Sequence, residues 1–172
     1  MTMPNNNSRI LLKRLKKTLS ELGEAQARLN KIVKIIADSM NSEVCSIYLI
    51  NRYNILELYA TEGLRSKAVH YSQLNVGQGL VGKIAATAEP IKTSQASKTK
   101  GFRYLPETGE EIYNSFLGVP IQRLGKILGV LVIQNLKKRE FTEDDVYGLE
   151  IVAMVIAEMA ELGVFTSSDG SD

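Results

Sequence analysis

From Leu12 onward the apolar residues fall at Leu12, Leu15, Leu19, Leu22, Leu29, Val33, Ile36 and Met40. With Gln26 counted in the place between Leu22 and Leu29, the steps alternate three and four over four heptads, which is the coiled-coil period. Gln26 is the only polar residue on this seam, and a polar seam residue can set register at some loss of stability. Gly23 lies off the seam and is a weak point at which the helix can divide. The half from Arg28 to Met40 can then pack on the rest of the chain rather than on a partner.

The period changes further on. Cys45 to Asn51 and Ile55 to Thr61 read as two strands joined at Arg52-Tyr53-Asn54, a hairpin. Glu62 to Asn75 is a mixed, polar connection. Gln78 to Thr87 predicts a short helix that ends before Pro90, and Ile91 to Gln95 a brief strand. Ala96 to Asn114 is a loop or short helix rich in Lys, Gly, Glu and aromatics. Ser115 to Arg123 and Lys126 to Asn135 are strands joined at Leu124-Gly125. Pro120 predicts a sheet edge or a bulge, because proline cannot donate to a ladder. Thr142 with Asp145 three residues on forms a capping-box pattern, and Glu143 and Asp144 also suit a helix N-terminus. Leu149 to Ala160 is apolar almost all round, so that helix covers a core on one side and a second surface on the other. Gly163 ends it. The expected fold class is α+β: an antiparallel sheet sandwiched by helices, with an N-terminal helical extension.

Composition narrows the function. The chain has 172 residues, 44% hydrophobic and 23% charged, the balance of a globular domain. Net charge is only +2, which gives no global case for nucleic acid as a partner. Arg9, Lys13, Arg14, Lys16 and Lys17 form a basic cluster that reads as a solvated helix face, with an anionic membrane or nucleic acid as the alternative. No apolar run reaches the roughly 20 residues that span a bilayer, and MTMPNNNS lacks a secretory signal, so the expectation is cytoplasmic. Cys45 is the single cysteine, which excludes a disulfide framework and a cysteine zinc site. His70 is the single histidine, in a polar segment, and reads as a surface residue rather than a general base. The sequence therefore points to no catalytic residues, no metal and no cofactor. Gly77-Gln78-Gly79-Leu80-Val81-Gly82 matches G-x-G-x-x-G, but its surroundings lack the strand-turn-helix setting of a dinucleotide site. It reads as a tight turn into a helix packed closely on the sheet.

Several stretches resemble a known family. The turn GQGLVGKIAAT, the strand pair FLGVPI and LGVLVIQN, and Phe141 leading into the last helix resemble a GAF domain over about Leu29 to Leu162. YLPETGEE, SFLGVPIQRLGKILGVLVIQN and AMVIAEMAEL resemble the N-terminal sensor domain of the nitrogen-type phosphoenolpyruvate-protein phosphotransferases. That resemblance implies a non-catalytic sensor of nitrogen status with glutamine as the proposed ligand. The phosphorylated histidine of that family would lie in downstream phosphotransferase domains. Composition, period and this resemblance together divide the chain into 1–8 disordered N-terminus, 9–28 coiled-coil-like extension, 29–162 GAF sensor domain and 163–172 flexible tail. Cyclic-nucleotide GAF domains are the rival binding class: Asn135, Lys137, Phe141 and Asp145 partly echo their signature, and Val146 departs from it. A ligand-free dimerisation module is the third reading. The free-methionine-sulfoxide reductases resemble this fold too, but they use several cysteines, and Cys45 alone cannot close their cycle.

Gln95 to Phe116 reads in two ways of equal weight: as a ligand-binding loop, since a long loop inside a compact domain is often functional, or as an ordinary polar loop with its aromatics tucked onto the sheet. Arg103 can clamp a carboxylate. Glu107 or Glu110 can meet an ammonium group, and Phe102 and Tyr104 can wall the pocket. Tyr48, Gln95, Ser115 and Phe116 complete the candidate ligand-binding set. The expected partners are a small-molecule effector, which the resemblance implies to be glutamine, and a second copy held through the terminal helices, with neither nucleic acid nor membrane.

Overall fold

The computed structural model of the chain describes residues 6–20, 23–99, 101, 107–109 and 112–163, leaving aside the side chains of residues 6–8 and 19. In chain order the elements are α1 (Asn6–Ser20), α2 (Ala25–Ser39), β1 (Val44–Ile50), β2 (Ile55–Glu62), β3 (Gln73–Asn75), α3 (Gly79–Thr87), β4 (Ile91–Thr93), β5 (Ser115–Arg123), β6 (Lys126–Asn135) and α4 (Glu143–Glu161). Single 3-10 turns sit at Ser66–Ala68 and Ala96–Lys98. The strands form one sheet in the order β3-β2-β1-β6-β5-β4, and every neighbouring pair is antiparallel.

Both faces of the central strands are covered, which is why β1, β5 and β6 read as nearly continuous apolar runs. Side chains alternate across a strand. Cys45, Ile47, Leu117, Val119, Ile121, Leu131 and Ile133 join α2 and α4 in the larger core. Tyr48, Phe116, Val130 and Val132 point the other way, into a second core under α3.

The seam from Leu12 to Met40 does not run as one helix. Gly23 and Glu24 are non-helical, and α1 packs on α2. Leu11, Leu15 and Thr18 are buried on α1, whereas Leu12 is 43% exposed. On α2, Leu29, Ile32, Val33 and Ile36 are fully buried within this one chain. The physical reason is area: the sheet offers α2 a broad apolar face, while a two-helix seam offers a narrow stripe. Leu22 lies outside the described residues, as do residues 1–5 and 164–172 of the expected disordered ends. α1 is helical from Asn6, ahead of the boundary expected at residue 9.

Two further details differ from, or sharpen, the expected pattern. The polar connection from Glu62 to Asn75 contains an edge strand, β3, which pairs with Ile55 to Glu57. With one buried residue, Leu74, it is too short to show a period. Pro120 sits in β5, where β6 pairs on one side. On the other side β4 reaches only Phe116 to Gly118, and a bulge follows at Ile121/Gln122. The missing proline N–H is therefore not asked to bond to β4. The capping box forms as expected: Asp145 N–H donates to Thr142 Oγ1 at 3.1 Å and Thr142 N–H to Asp145 Oδ2 at 2.8 Å.

Candidate functional site: the α3 face of the sheet and its covering loop

The glycine turn places α3. Gly77 and Gly79 take φ of +93° and +69°, values that exclude most side chains. Gly82 faces the strand before it: a Cβ there would lie 2.6 Å from the Asn75 carbonyl oxygen. The motif thus sets a helix hard against an antiparallel edge strand, the reading expected from its surroundings. Leu80, Val81, Ile84 and Ala85 then close over Tyr48, Leu56, Leu58, Leu74, Phe116, Val130 and Val132. Ala68 and Ala96, one from each 3-10 turn, complete this apolar floor.

The loop after β4 is tied at its base. Ala96 N–H donates to the Asn114 carbonyl at 2.7 Å. Thr99 Oγ1 donates to the Gln95 carbonyl at 2.9 Å and contacts Thr93 Oγ1 at 2.9 Å. Its described middle lies against the segment after β2. Ser72 Oγ donates to Glu107 Oε1 at 2.8 Å, Arg65 N–H donates to the Thr108 carbonyl at 3.1 Å, and Tyr113 donates to the Gly63 carbonyl at 3.3 Å. Burial, and then the nearby Glu43 charge, push the Tyr113 hydroxyl above its ordinary pKa. It therefore stays a donor at neutral pH.

Of the residues read as ligand-binding, Tyr48 and Phe116 meet in the same buried cluster. Glu107 lies at the loop's contact with Ser72. Gln95 is half-buried at the loop base, its N–H on Thr93 Oγ1 at 3.0 Å. Ser115 precedes Phe116 on β5 and so faces away from it. Its hydroxyl donates toward the carbonyls of Lys137 at 3.1 Å and Asn135 at 3.3 Å. Phe102, Arg103, Tyr104 and Glu110 lie outside the described residues.

Two residues escaped the reading of the sequence. Ser72, fully buried, is the hydroxyl that holds Glu107. His70 is exposed, as read, but its partners were not foreseen, and it forms a bridge. Its Nδ1 lies 3.1 Å from Glu57 Oε2 and its Nε2 2.7 Å from Gln26 Oε1. Its ring stands edge-on to Tyr59, centroids 4.9 Å apart. Gln26 in turn donates to the Tyr59 carbonyl at 2.9 Å and to Asn30 Oδ1 at 3.0 Å. His70 has φ +62°, a region that non-glycine residues seldom occupy. The lone polar seam position was the available signal, but its partner is 44 residues away.

Among the described residues of this arrangement none is placed to activate a nucleophile. Cys45 is fully buried in the other core. Burial, and secondarily Glu62, push its thiol far above the ordinary range, so no thiolate is at hand at neutral pH. Among the described residues no group of three or more His, Cys, Asp or Glu is placed to hold a metal ion, and no described helix is long and apolar enough to cross a membrane. The described residues thus place an apolar cluster beside a loop that carries a few placed polar groups.

Comparison with known proteins gives the family. The GAF domain family matches residues 24–159. The phosphoenolpyruvate-dependent phosphotransferase system protein of Escherichia coli (strain K12) is 33% identical over 165 residues, covering 93% of this chain. The chain spans 22% of the length of that relative. The GAF domain of a phosphoenolpyruvate-protein phosphotransferase from Coxiella burnetii superposes with a TM-score of 0.85 at 29% identity, covering 92% of this chain and 96% of that one. The corresponding Acinetobacter domain gives a TM-score of 0.79 at 32% identity, with 94% and 99% covered.

Proposed function

The chain belongs to the GAF family, and from that premise we propose that it is the non-catalytic sensor domain of a nitrogen-type phosphoenolpyruvate-dependent phosphotransferase. Its effector is a small amino-acid-type metabolite, glutamine first among them, and it reports nitrogen status to catalytic domains elsewhere in the parent protein. It works in the cytoplasm as a homodimer joined through its terminal helices. The observation that carries this reading is the contact of Glu107 with Ser72 at 2.8 Å beside the apolar cluster of Tyr48 and Phe116. A carboxylate held by one neutral hydroxyl can move to a better partner, such as an ammonium group. Arg103, in the same loop, supplies the charge that an amino acid's carboxylate requires, since a buried unpaired charge is costly. The His70–Gln26 bridge offers a route from the loop's neighbour, residues 66–72, to α2. Similarity to the phosphotransferase GAF domains supports the same assignment.

Titration calorimetry tests it. Glutamine should give a saturable heat, and Arg103→Ala should weaken binding by about 1–3 kcal/mol, the scale of a charged hydrogen bond. Saturating glutamine should also slow tryptic cleavage after Lys98, Lys100 and Arg103. Absence of glutamine heat, or heat with a cyclic nucleotide in its place, would overturn the ligand. Unchanged cleavage would show that glutamine does not engage the Gln95 to Phe116 loop.

A further inference from the structure

The connection between β6 and α4, residues 136–142, holds three consecutive basic residues, Lys137, Lys138 and Arg139. Lys137 and Lys138 are exposed, as charged side chains ordinarily are. Arg139 turns inward, its side chain 25% exposed. The guanidinium lies 4.7 Å from the centre of the Phe141 ring, a cation–π contact. Its Nη1 donates to the Met40 carbonyl at 2.8 Å, with the Asn41 carbonyl and Ser42 Oγ each 3.2 Å away. Its Nη2 lies 3.7 Å from Oδ1 of Asp145, the residue that closes the capping box of α4. One planar fork of donors thus joins the end of α2 to the first turn of α4.

The exit stem of the loop over the α3 face is tied to the same connection. Asn114 N–H donates to the Asn135 carbonyl at 3.0 Å, and its Nδ2 to the Leu136 carbonyl at 2.7 Å. The buried Ser115 Oγ donates toward the Lys137 carbonyl at 3.1 Å. Asn135 is the joint between this stem and Arg139. Its Oδ1 accepts from Arg139 at 3.1 Å, and its Nδ2 donates to Glu43 Oε2 at 2.6 Å and to the Asn41 carbonyl at 2.9 Å. Donor and acceptor of the amide are both engaged, which fixes its orientation. In a network of this kind each bond orients the next, and structure joined in this way opens as a unit.

We propose that Arg139 makes the exit stem of the loop, the end of α2 and the first turn of α4 one cooperative unit, so that whatever orders the loop is felt at α4. Arg139 is a positioning residue, acting through Asn135 and Asp145 rather than on a ligand. The inference rests on the sensor reading for what orders the loop, whereas the coupling itself needs no ligand. Coupling between sites requires an element that both of them bias, and the connection pinned by Arg139 is that element.

Native-state hydrogen exchange on the full chain, without ligand, tests the coupling. Asn114→Ala with Ser115→Ala removes the side-chain bonds of the stem. Exchange should quicken by a common factor of roughly five in residues 114–116, 40–42 and 145–149, with the rates at Ile47 and Leu131 in the central strands unchanged. Arg139→Met keeps the apolar stem beside Phe141 and removes the donors. In that background the same two changes should quicken residues 114–116 alone. A residue that merely stabilised the fold would leave the factor at α4 the same in both backgrounds. Arg139→Lys, which lacks the fork, takes its place if Arg139→Met does not fold. The proposal is overturned if the stem alone quickens in the parent chain, or if Ile47 and Leu131 quicken as much as α4. It is also overturned if the factor at α4 is the same with and without Arg139, or if neither Arg139 variant folds. Glutamine enters none of these measurements, so a chain that does not bind it can pass and one that binds it can fail.

Discussion

Cys45 shows how completely burial can silence a reactive group. The thiol sits on β1 in the helix-side core with no exposed surface, and desolvation opposes its ionisation. In the unfolded chain the same thiol ionises near its ordinary pKa of about 8.5. The folded form therefore holds a proton that the unfolded form loses. The contribution is whole below that ordinary pKa and declines as pH rises above it. Between pH 9 and 10.5 we expect it to fall by about 1.4 kcal/mol per pH unit, and Cys45→Ala to lack this slope. Denaturant unfolding across that window measures it, and alkylation of the native thiol at pH 8 should be slow. Gly82 makes the complementary case. A methyl group there would meet the Asn75 carbonyl, which is backbone and cannot step aside. Gly82→Ala should cost about 1–3 kcal/mol, the usual scale of overpacking, with exchange protection lost first in α3 and β3.

At the scale of elements, the α4 cap, the hairpin of β5 and β6, the helical α3 and the division at Gly23 were all legible in the sequence. Each rests on local chemistry: a Thr-Asp box, two apolar runs parted at Leu124-Gly125, a glycine turn, a helix breaker. What was not legible is long-range. The apolar spacing of α2 looks the same whether its stripe meets a partner helix or a sheet, and only the fold shows that the sheet takes it. β3 has a single buried side chain, so it carried no period. Ser72 and His70 are polar residues in a polar connection, and their meaning lies wholly in partners far along the chain. The same holds for the candidate site: its loop stood out by composition, while the face on which Tyr48 and Phe116 meet follows from strand register. The Gln26–His70 link is the element-scale consequence most open to test. Gln26→Ala removes its bonds to His70, Tyr59 and Asn30. We expect a loss of about 1 kcal/mol, the net worth of such bonds. Hydrogen exchange should quicken in the first turn of α2 and in residues 66–72 together. Faster exchange in only one of them would show that the bridge does not couple the two.

Over the whole molecule charge and apolar surface are divided between the ends of the chain. α4 carries six acidic residues and no basic one, whereas residues 9–39 carry an excess of basic ones. α4 also turns Tyr147, Ile151 and Met154 outward, 61%, 50% and 65% exposed, four and three residues apart and so on one helical stripe. Ile10 and Leu12 are exposed on α1. A contiguous apolar stripe of this kind marks an interaction site, and opposite charge beside it favours a particular partner. In the proposed homodimer a second copy supplies both, its basic α1 and α2 facing the acidic α4 of the first. This is a narrower form of the dimer expected from the terminal helices, because α2 is already committed to the sheet and only the outward faces remain. Replacing Ile151 and Met154 with lysine puts positive charge where the second copy is basic. Surface changes of this kind alter folding stability by about 0.5 kcal/mol or less, so the fold should persist while the dimer weakens at least tenfold. Sedimentation equilibrium at tens of micromolar should give twice 19.0 kDa for the parent chain and a single mass for the variant. The dimer should also loosen as salt is raised, since its outer charges are exposed to screening. A monomeric parent chain under those conditions would refute the dimer. A dimeric double-lysine variant would move the interface away from α4.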